Sequence, residues 1–411
     1  MNKFKHTRPL ACAIAGACLA LAAGGASAAD ASPAGADALT FDGAIRMWVE
    51  ALSWNDQRKG TLEFDTARLG FKYDDGRFLA AGRERYYHYT SRQTGAGKGA
   101  DILFNEYLWA GYRFADKGEL HVGQDRMPFG ILPYASNNFF ESIAWYAGYE
   151  DTYALGLHYL RKIGDLNIDA AFFPSDGRHL LSWTRSVGEL DGLDSVRYSN
   201  HLMTSYGREE KNTSVARVAY PLALAGGKVE IGASALAGRL AATSPALSDG
   251  NRRAGAVHVA GTFGNLGVQL ETVKYANDFT GNGSVAGNWY GACDNDCVLI
   301  GAFGFTNRLA ARGHIDIANV TYKIPGSIGP FSQFMVYNDW SRIRKSAAGY
   351  ADSYQNVTGA TFSSGGWVAM IDVSNATNQP YLSPGFGNAL GAGGGAKSSG
   401  HRFNANIGYY F

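Results

Sequence analysis

The last eleven residues, His401 to Phe411, constrain this chain more than any other stretch. Phe403, Ala405, Ile407, Tyr409 and Phe411 take every second position, and Arg402, Asn404, Asn406, Gly408 and Tyr410 fill the positions between. Strict alternation is a β-strand with one apolar and one polar face. About ten residues is also the length a tilted strand needs to cross a bilayer. An amphipathic edge strand of a soluble sheet reads the same over so short a stretch, so the rest of the chain must decide.

The other end carries the marks of export. Lys3, Lys5 and Arg8 form a basic head, Leu10 to Ala23 an apolar run too short to span a membrane as a helix, and Ala26-Ser27-Ala28 a small-residue cleavage site. Residues 1–28 are therefore expected to be a cleaved signal peptide and residues 29–411 a single domain. Losing three cations takes the net charge from +1 to −2, which argues against a nucleic-acid binder. No later segment offers eighteen consecutive apolar residues, so helical spans are excluded. Charged residues make up 18% of the chain, below the roughly 25% usual for soluble domains.

Seven short turn signals punctuate the remainder: Asp74 to Gly76, Ala115 to Gly118, Lys162 to Asp165, Pro221 to Gly227, Gly264-Asn265, Pro325 to Gly329 and Ser363 to Gly366. Each has a candidate strand on both sides. The hairpins give fourteen strands, and Leu39 to Ala51 with the C-terminal strand bring the total to sixteen. Leu39, Phe41, Ile45, Met47 and Val49 alternate with Thr40, Asp42, Arg46 and Glu50, and similar patterns recur at Ala67, Leu69, Phe71 and Tyr73, and at Leu108, Ala110, Tyr112 and Phe114. Aromatic residues gather beside the short turns, among them Phe78, Phe114, Tyr220 and Tyr322. A collar of this kind marks a lipid interface, and closure into a barrel supplies the edge hydrogen bonds that lipid cannot. The expected fold is all-β: a transmembrane antiparallel β-barrel of about sixteen strands.

A barrel this wide keeps an aqueous lumen unless something fills it. The expected filler is the long stretch after the fifth strand, from Gly123-Gln124-Asp125-Arg126-Met127-Pro128-Phe129-Gly130 to Glu150-Asp151. Arg126, Glu141, Glu150 and Asp151 are its candidate constriction charges. With outward apolar residues fixing the parity, Arg46, Arg68, Lys72, Arg83, Arg85 and Arg113 point into the lumen. Later strands send Asp169, Glu230, Glu271, Asp339 and Asp372 the same way. Opposed clusters of charge make a transverse field that sorts ions; the alternative is that single arginines pair with acids on adjacent strands.

Several segments resemble a known family. Gly-Gln-x-x-x-Pro-Phe-Gly at Gly123 to Gly130, Val336 to Ser341, Asp352 to Gly359, Ile371-Asp372-Val373 and Asn378-Gln379-Pro380 are similar, in order, to the phosphate-selective porins O and P. The resemblance implies a homotrimeric sixteen-stranded porin whose third loop forms the constriction, general or anion-preferring. The terminal pattern Ile407, Tyr409 and Phe411 resembles the assembly signal of bacterial outer-membrane barrels, which implies recognition by the barrel-assembly machinery.

Cys12 and Cys18 leave with the signal, while Cys293 and Cys297 bracket Asp294-Asn295-Asp296. A disulfide closing this loop is expected in an exported protein; a zinc or calcium site there is the alternative, with an incomplete ligand set. His88, His121, His158, His258 and His314 are scattered, and no Gly-x-Ser-x-Gly or His-Glu-x-x-His motif accompanies them. The reading is therefore not an enzyme, with no catalytic residues, no metal and no cofactor. It is an outer-membrane porin for passive diffusion of small hydrophilic solutes, with small anions as the finer expectation. Its partners are outer-membrane lipid and the solutes themselves. A structural or adhesive barrel is the alternative, and a barrel enzyme a remoter one.

Overall fold

A computed structural model describes residues 38–94, 99–178, 180–185, 193–204, 207–280, 296–385, 390–391 and 397–411. The expected signal segment lies outside the described residues. Sixteen long strands run antiparallel around a closed wall. The first seven are β1 (Leu39–Leu52), β2 (Asn55–Asp74), β3 (Phe78–Tyr89), β4 (Ala100–Arg113), β5 (Glu119–Arg126), β6 (Tyr153–Ile163) and β7 (Leu166–Ser175). After a long connection come β8 (Arg208–Leu224), β9 (Gly227–Ala242), β10 (Gly250–Phe263) and β11 (Leu266–Asp278). A second long connection leads to β12 (Arg312–Ile324), β13 (Gln333–Lys345), β14 (Ser353–Ser364), β15 (Trp367–Thr377) and β16 (Ser399–Tyr410). All seven short turns fall within the stretches the sequence marks, although the fourth is shorter than expected: Pro221 to Leu224 extend β8 and only Ala225 and Gly226 turn. At Gly164 (φ 59°) and Gly264 (φ 61°), as at other turn glycines, an added Cβ would meet nothing within 4 Å, so glycine is needed there for its left-handed backbone and not for room.

The wall closes through β1 and β16, paired from Ala44↔Tyr410 to Leu52↔Arg402. Phe411 extends this ladder by one step, donating to Gly43 O at 3.0 Å and accepting from Gly43 N at 2.9 Å. A Cβ on Gly43 would collide with the Phe411 ring, so the glycine lets the terminal aromatic lie across the seam. Outside, Phe41, Ile45, Leu157, Val218, Ile231, Val257, Ile371, Phe403 and Ile407 are exposed. A continuous apolar belt on a closed sheet is stable only in lipid. Among the described residues no helix is long and apolar enough to cross a membrane.

β5 is only eight residues long, because the chain leaves the wall after Arg126 and enters the lumen. That departure strips the upper part of β4 of a neighbour, and Trp183–Arg185 pairs with Leu103 to Asp101 in its place, covering an edge that would otherwise be open.

The interior is filled on one side. Residues 127–152 cross the lumen and pack Met127, Phe129, Ile131, Ile143 and Tyr149 against Val215, Leu236, Val273, Tyr275 and Ile315 of β8, β9, β11 and β12. A hairpin from the long-loop end, strands Cys297–Ala302 and Phe305–Ala310, adds Val298, Ile300 and Leu309 to the same cluster. The turn of this hairpin presents Phe303 to Tyr87, Phe104, Trp145 and Tyr198. This second inward segment carries no sign in the sequence. Cys297, at its base, is disulfide-bonded; Cys293 lies outside the described residues.

Candidate functional site

The loop at 127–152 is fastened by side chains from the inner wall. Gly130 N donates to Ser234 Oγ at 3.0 Å and Gly130 O accepts from Arg217 Nε at 2.8 Å. Ile131 N donates to Glu271 Oε2 at 2.8 Å. Gly130 has φ 69°, and a Cβ there would collide with the Glu271 carboxylate, which accounts for glycine at the end of the Pro-Phe-Gly run. Farther along, Asn137 and Asn138 both donate to Asp339, Ile143 N donates to Ser341 Oγ at 3.0 Å, and Gln355 Nε2 donates to Glu141 O at 2.6 Å.

These contacts correct the expected acidic wall. Glu271 and Asp339 hold the loop. Asp169 and Glu230 flank Arg217, at 3.6 and 2.6 Å, and Asp372 accepts from Tyr337 and from Asn404. All five acids stand on inward positions, but each has a protein partner and none is left to face the basic wall. Within the loop, Glu150 accepts from Ala135 N (3.0 Å), Ser136 N (3.3 Å) and Ser142, and Glu141 accepts from Ser136 Oγ at 2.5 Å. Burial holds both carboxyls above the ordinary range, reinforced at Glu141 by Glu150 and Asp151 and at Glu150 by Asp151, against the hydrogen bonds each accepts.

What stays open is a cavity of 1150 Å³ between the loop and the walls formed by β1–β4 and β13–β16. Arg46, Arg68, Arg83, Arg85, Arg126 and Arg402 line it, together with Glu141, Asp151 and aromatic residues including Tyr87, Phe139, Phe140, Tyr198, Phe303 and Tyr410. Most of these arginines are paired. Arg46 bonds Asp65, Arg83 reaches Asp42 at 2.9 Å and Glu106 at 3.4 Å, Arg85 bonds Glu106, Arg126 meets Asp151 at 2.8 Å, and Arg402 meets Glu50 at 2.5 Å. Arg68 makes no ion pair among the described residues; its guanidinium lies 5.0 Å from the centre of the Tyr410 ring. Lys72 and Arg113 stand apart from this cavity, toward the short turns. Lys72 is exposed, and Arg113 bridges Asp74 and Glu119 at 2.9 and 2.8 Å.

Glu106 is the pairing residue that strand parity hides. Counted back from the outward Leu108, it belongs on the lipid side. A register shift between Arg83 and Glu84 leaves Glu106 as the extra residue of β4, and such a bulge swings the side chain to the other face. Glu84 and Asn105, now facing outward, bond each other at 3.2 Å.

No family model matches the chain, and no curated protein matches it. Solved structures do. The anion-selective porin from Comamonas acidovorans superposes with a TM-score of 0.54 at 13% identity, over 91% of this chain and 99% of that one. The outer membrane channel DcaP of Acinetobacter baumannii gives 0.53 at 13%, over 93% and 100%. OmpT, an outer membrane protein of Vibrio cholerae, gives 0.53 at 12%, over 93% and 100%. The fold is that of the bacterial outer-membrane porins. With its apolar belt the barrel sits in the outer membrane.

Proposed function

We propose that the protein is a porin, a passive channel for small hydrophilic solutes with a preference for small anions. The observation that carries this reading is the charge balance of the cavity. Arg46, Arg83, Arg85, Arg126 and Arg402 meet Asp65, Asp42, Glu106, Asp151 and Glu50; Arg68 remains over, and the other acid lining the cavity, Glu141, is held largely protonated at neutral pH by burial. Fixed charge in a narrow, weakly screened passage biases which ion enters. The likeness to an anion-selective porin and the resemblance of the loop motif to phosphate-selective porins point the same way.

Export through a cleaved leader at residues 1–28, assembly directed by Ile407, Tyr409 and Phe411, and a homotrimer complete the proposal. The Glu84–Asn105 pair supports the trimer, since a carboxylate on an outward face needs a protein neighbour more than it needs lipid.

The test is a planar-bilayer recording of the purified, folded protein under a potassium chloride gradient. Steady conductance with a reversal potential of anion sign at low salt carries the proposal. Folded protein that conducts nothing overturns it in favour of a structural or adhesive barrel, and a reversal potential of cation sign removes the anion preference alone.

A further inference from the structure

On the inner wall of β5 and β6, at the root of the constriction loop, His121, Asp125 and His158 converge. Asp125 Oδ2 lies 2.8 Å from His121 Nδ1 and 2.9 Å from His158 Nδ1, and the ligand atoms of the three residues lie within 4.8 Å of one another. The residues are 8%, 7% and 5% exposed for Asp125, His121 and His158. The His121 ring is held flat: Trp109 stacks on it at 3.7 Å and 6°, and a Cβ on Gly111 would come within 2.8 Å of its Cδ2.

The outer nitrogens supply a second, independent observation. His121 Nε2 stands 3.5 Å from Glu119 Oε2, and His158 Nε2 stands 3.4 Å from Asp169 Oδ1. Neither Nε2 makes a hydrogen bond, and both atoms are buried. If the rings are neutral and both give Nδ1–H to Asp125, each turns an Nε2 lone pair toward a carboxylate, which is repulsive. Replacing the two Nδ1 protons by one metal ion reverses this. The Nε2 atoms then carry the hydrogens and donate to Glu119 and Asp169, the outer-shell pattern in which a metal-bound imidazole gives its other N–H to a carboxylate.

We propose that His121 Nδ1, His158 Nδ1 and Asp125 Oδ2 form a site for a first-row divalent cation, with Glu119 and Asp169 orienting the two rings. Two imidazole nitrogens and one carboxylate oxygen select zinc, nickel or copper(II) over calcium and magnesium, which take oxygen ligands. In each neutral ring the proton moves from Nδ1 to Nε2 as the metal takes Nδ1, so binding releases no imidazole proton, whereas a ring that starts as imidazolium gives up one to solvent. The site uses none of the arginines of the cavity, so it stands whether or not the channel prefers anions. Its natural effect is on the loop, because Asp169 also meets Arg217, whose Nε donates to Gly130 O.

The test takes the folded, detergent-purified protein, stripped with a chelator and titrated with zinc by calorimetry and with copper(II) by electron paramagnetic resonance. The expected result is one ion per chain, with coupling to two imidazole nitrogens. His121→Gln, His158→Gln and Asp125→Asn should each abolish that site, and Glu119→Gln should weaken it about 10- to 100-fold while leaving the two-nitrogen spectrum in place. A wild-type protein with no saturable site overturns the proposal. So does a copper spectrum without two imidazole nitrogens, which needs no variant to fold, and so does binding that survives both histidine replacements. In the two last cases, and in the first, the alternative is two imidazolium rings salt-bridged among three acids.

Discussion

Asn137 gives both its backbone N–H and its side-chain amide to the Asp339 carboxylate, at 2.6 and 2.9 Å. Asn138 adds a third donor to the same carboxylate at 2.8 Å. An acid on the inner wall of a barrel reads as a filter charge, yet this one is a fastening point between β13 and the constriction loop.

Asp339→Ala leaves three loop donors without their acceptor, at about 1–3 kcal/mol for each that stays buried and unpaired. The loop should leave the wall while the barrel, held by its backbone ladder, keeps its heat-modifiable mobility on gels. Single-channel recordings should show larger and noisier conductance. Traces identical to wild type would show that the remaining contacts suffice.

Arg68→Ala removes the cavity arginine that makes no ion pair among the described residues, so it should move the reversal potential toward cations without a folding defect. The double change Arg83→Ala, Arg85→Ala should shift it the same way, because it strands Glu106, but with a lower folded yield. Both shifts should shrink between 0.1 M and 1 M salt, as the screening length falls from about 10 Å to about 3 Å. A reversal potential that responds to the double change and ignores Arg68→Ala would move the filter from Arg68 to the paired arginines.

Glu141 and Glu150 make the loop packing pH-dependent. Burial raises them to about 8 and about 7, against an ordinary value near 4.3, so the folded loop holds protons that the unpacked loop releases. Packing is thus fully favoured below the ordinary carboxylate value and is lost as pH rises through those two values. Asp151 reinforces the shift on both acids, and Arg85 opposes it at Glu141. Channel noise should be low at pH 5 and grow above pH 8, and Glu141→Gln with Glu150→Gln should flatten the profile. A profile unchanged by the double substitution would assign the pH response elsewhere.

Phe303→Ala trims the one large side chain that the hairpin turn presents to Tyr87 and Trp145. Its carbonyl still accepts from Tyr89 Oη at 3.0 Å, so the hairpin should keep its place and conductance should rise. Equal conductance in the variant would mean that Phe303 does not bound the path.

Gly43→Val forces the Phe411 ring off the β1–β16 seam and should lower the folded fraction in outer membranes, as deleting Phe411 should. If Gly43→Val folds with normal yield, the ring is not needed to close the barrel.

The sequence by itself determined the wall. Period-two alternation, seven turn signals and the lipid's demand that every backbone polar group be paired leave little besides a closed barrel of sixteen strands, and the length and aromatic content of residues 127–152 mark the loop that enters it. The facing of Arg46, Arg68, Arg83 and Arg85 followed from the same local rule. What only the tertiary structure decided is which charge meets which. Glu106 turns inward because of a one-residue bulge, Asp339 meets Asn137 across 202 residues of chain, and the turn at Phe303 comes down from a distant loop onto Tyr87. His121 and His158, which look scattered along the chain, become direct cross-strand neighbours once β5 pairs with β6. Which face a side chain takes is set by its own strand; its partners are set by the register of other strands and by bulges that reverse parity, and neither leaves a local mark in the chain.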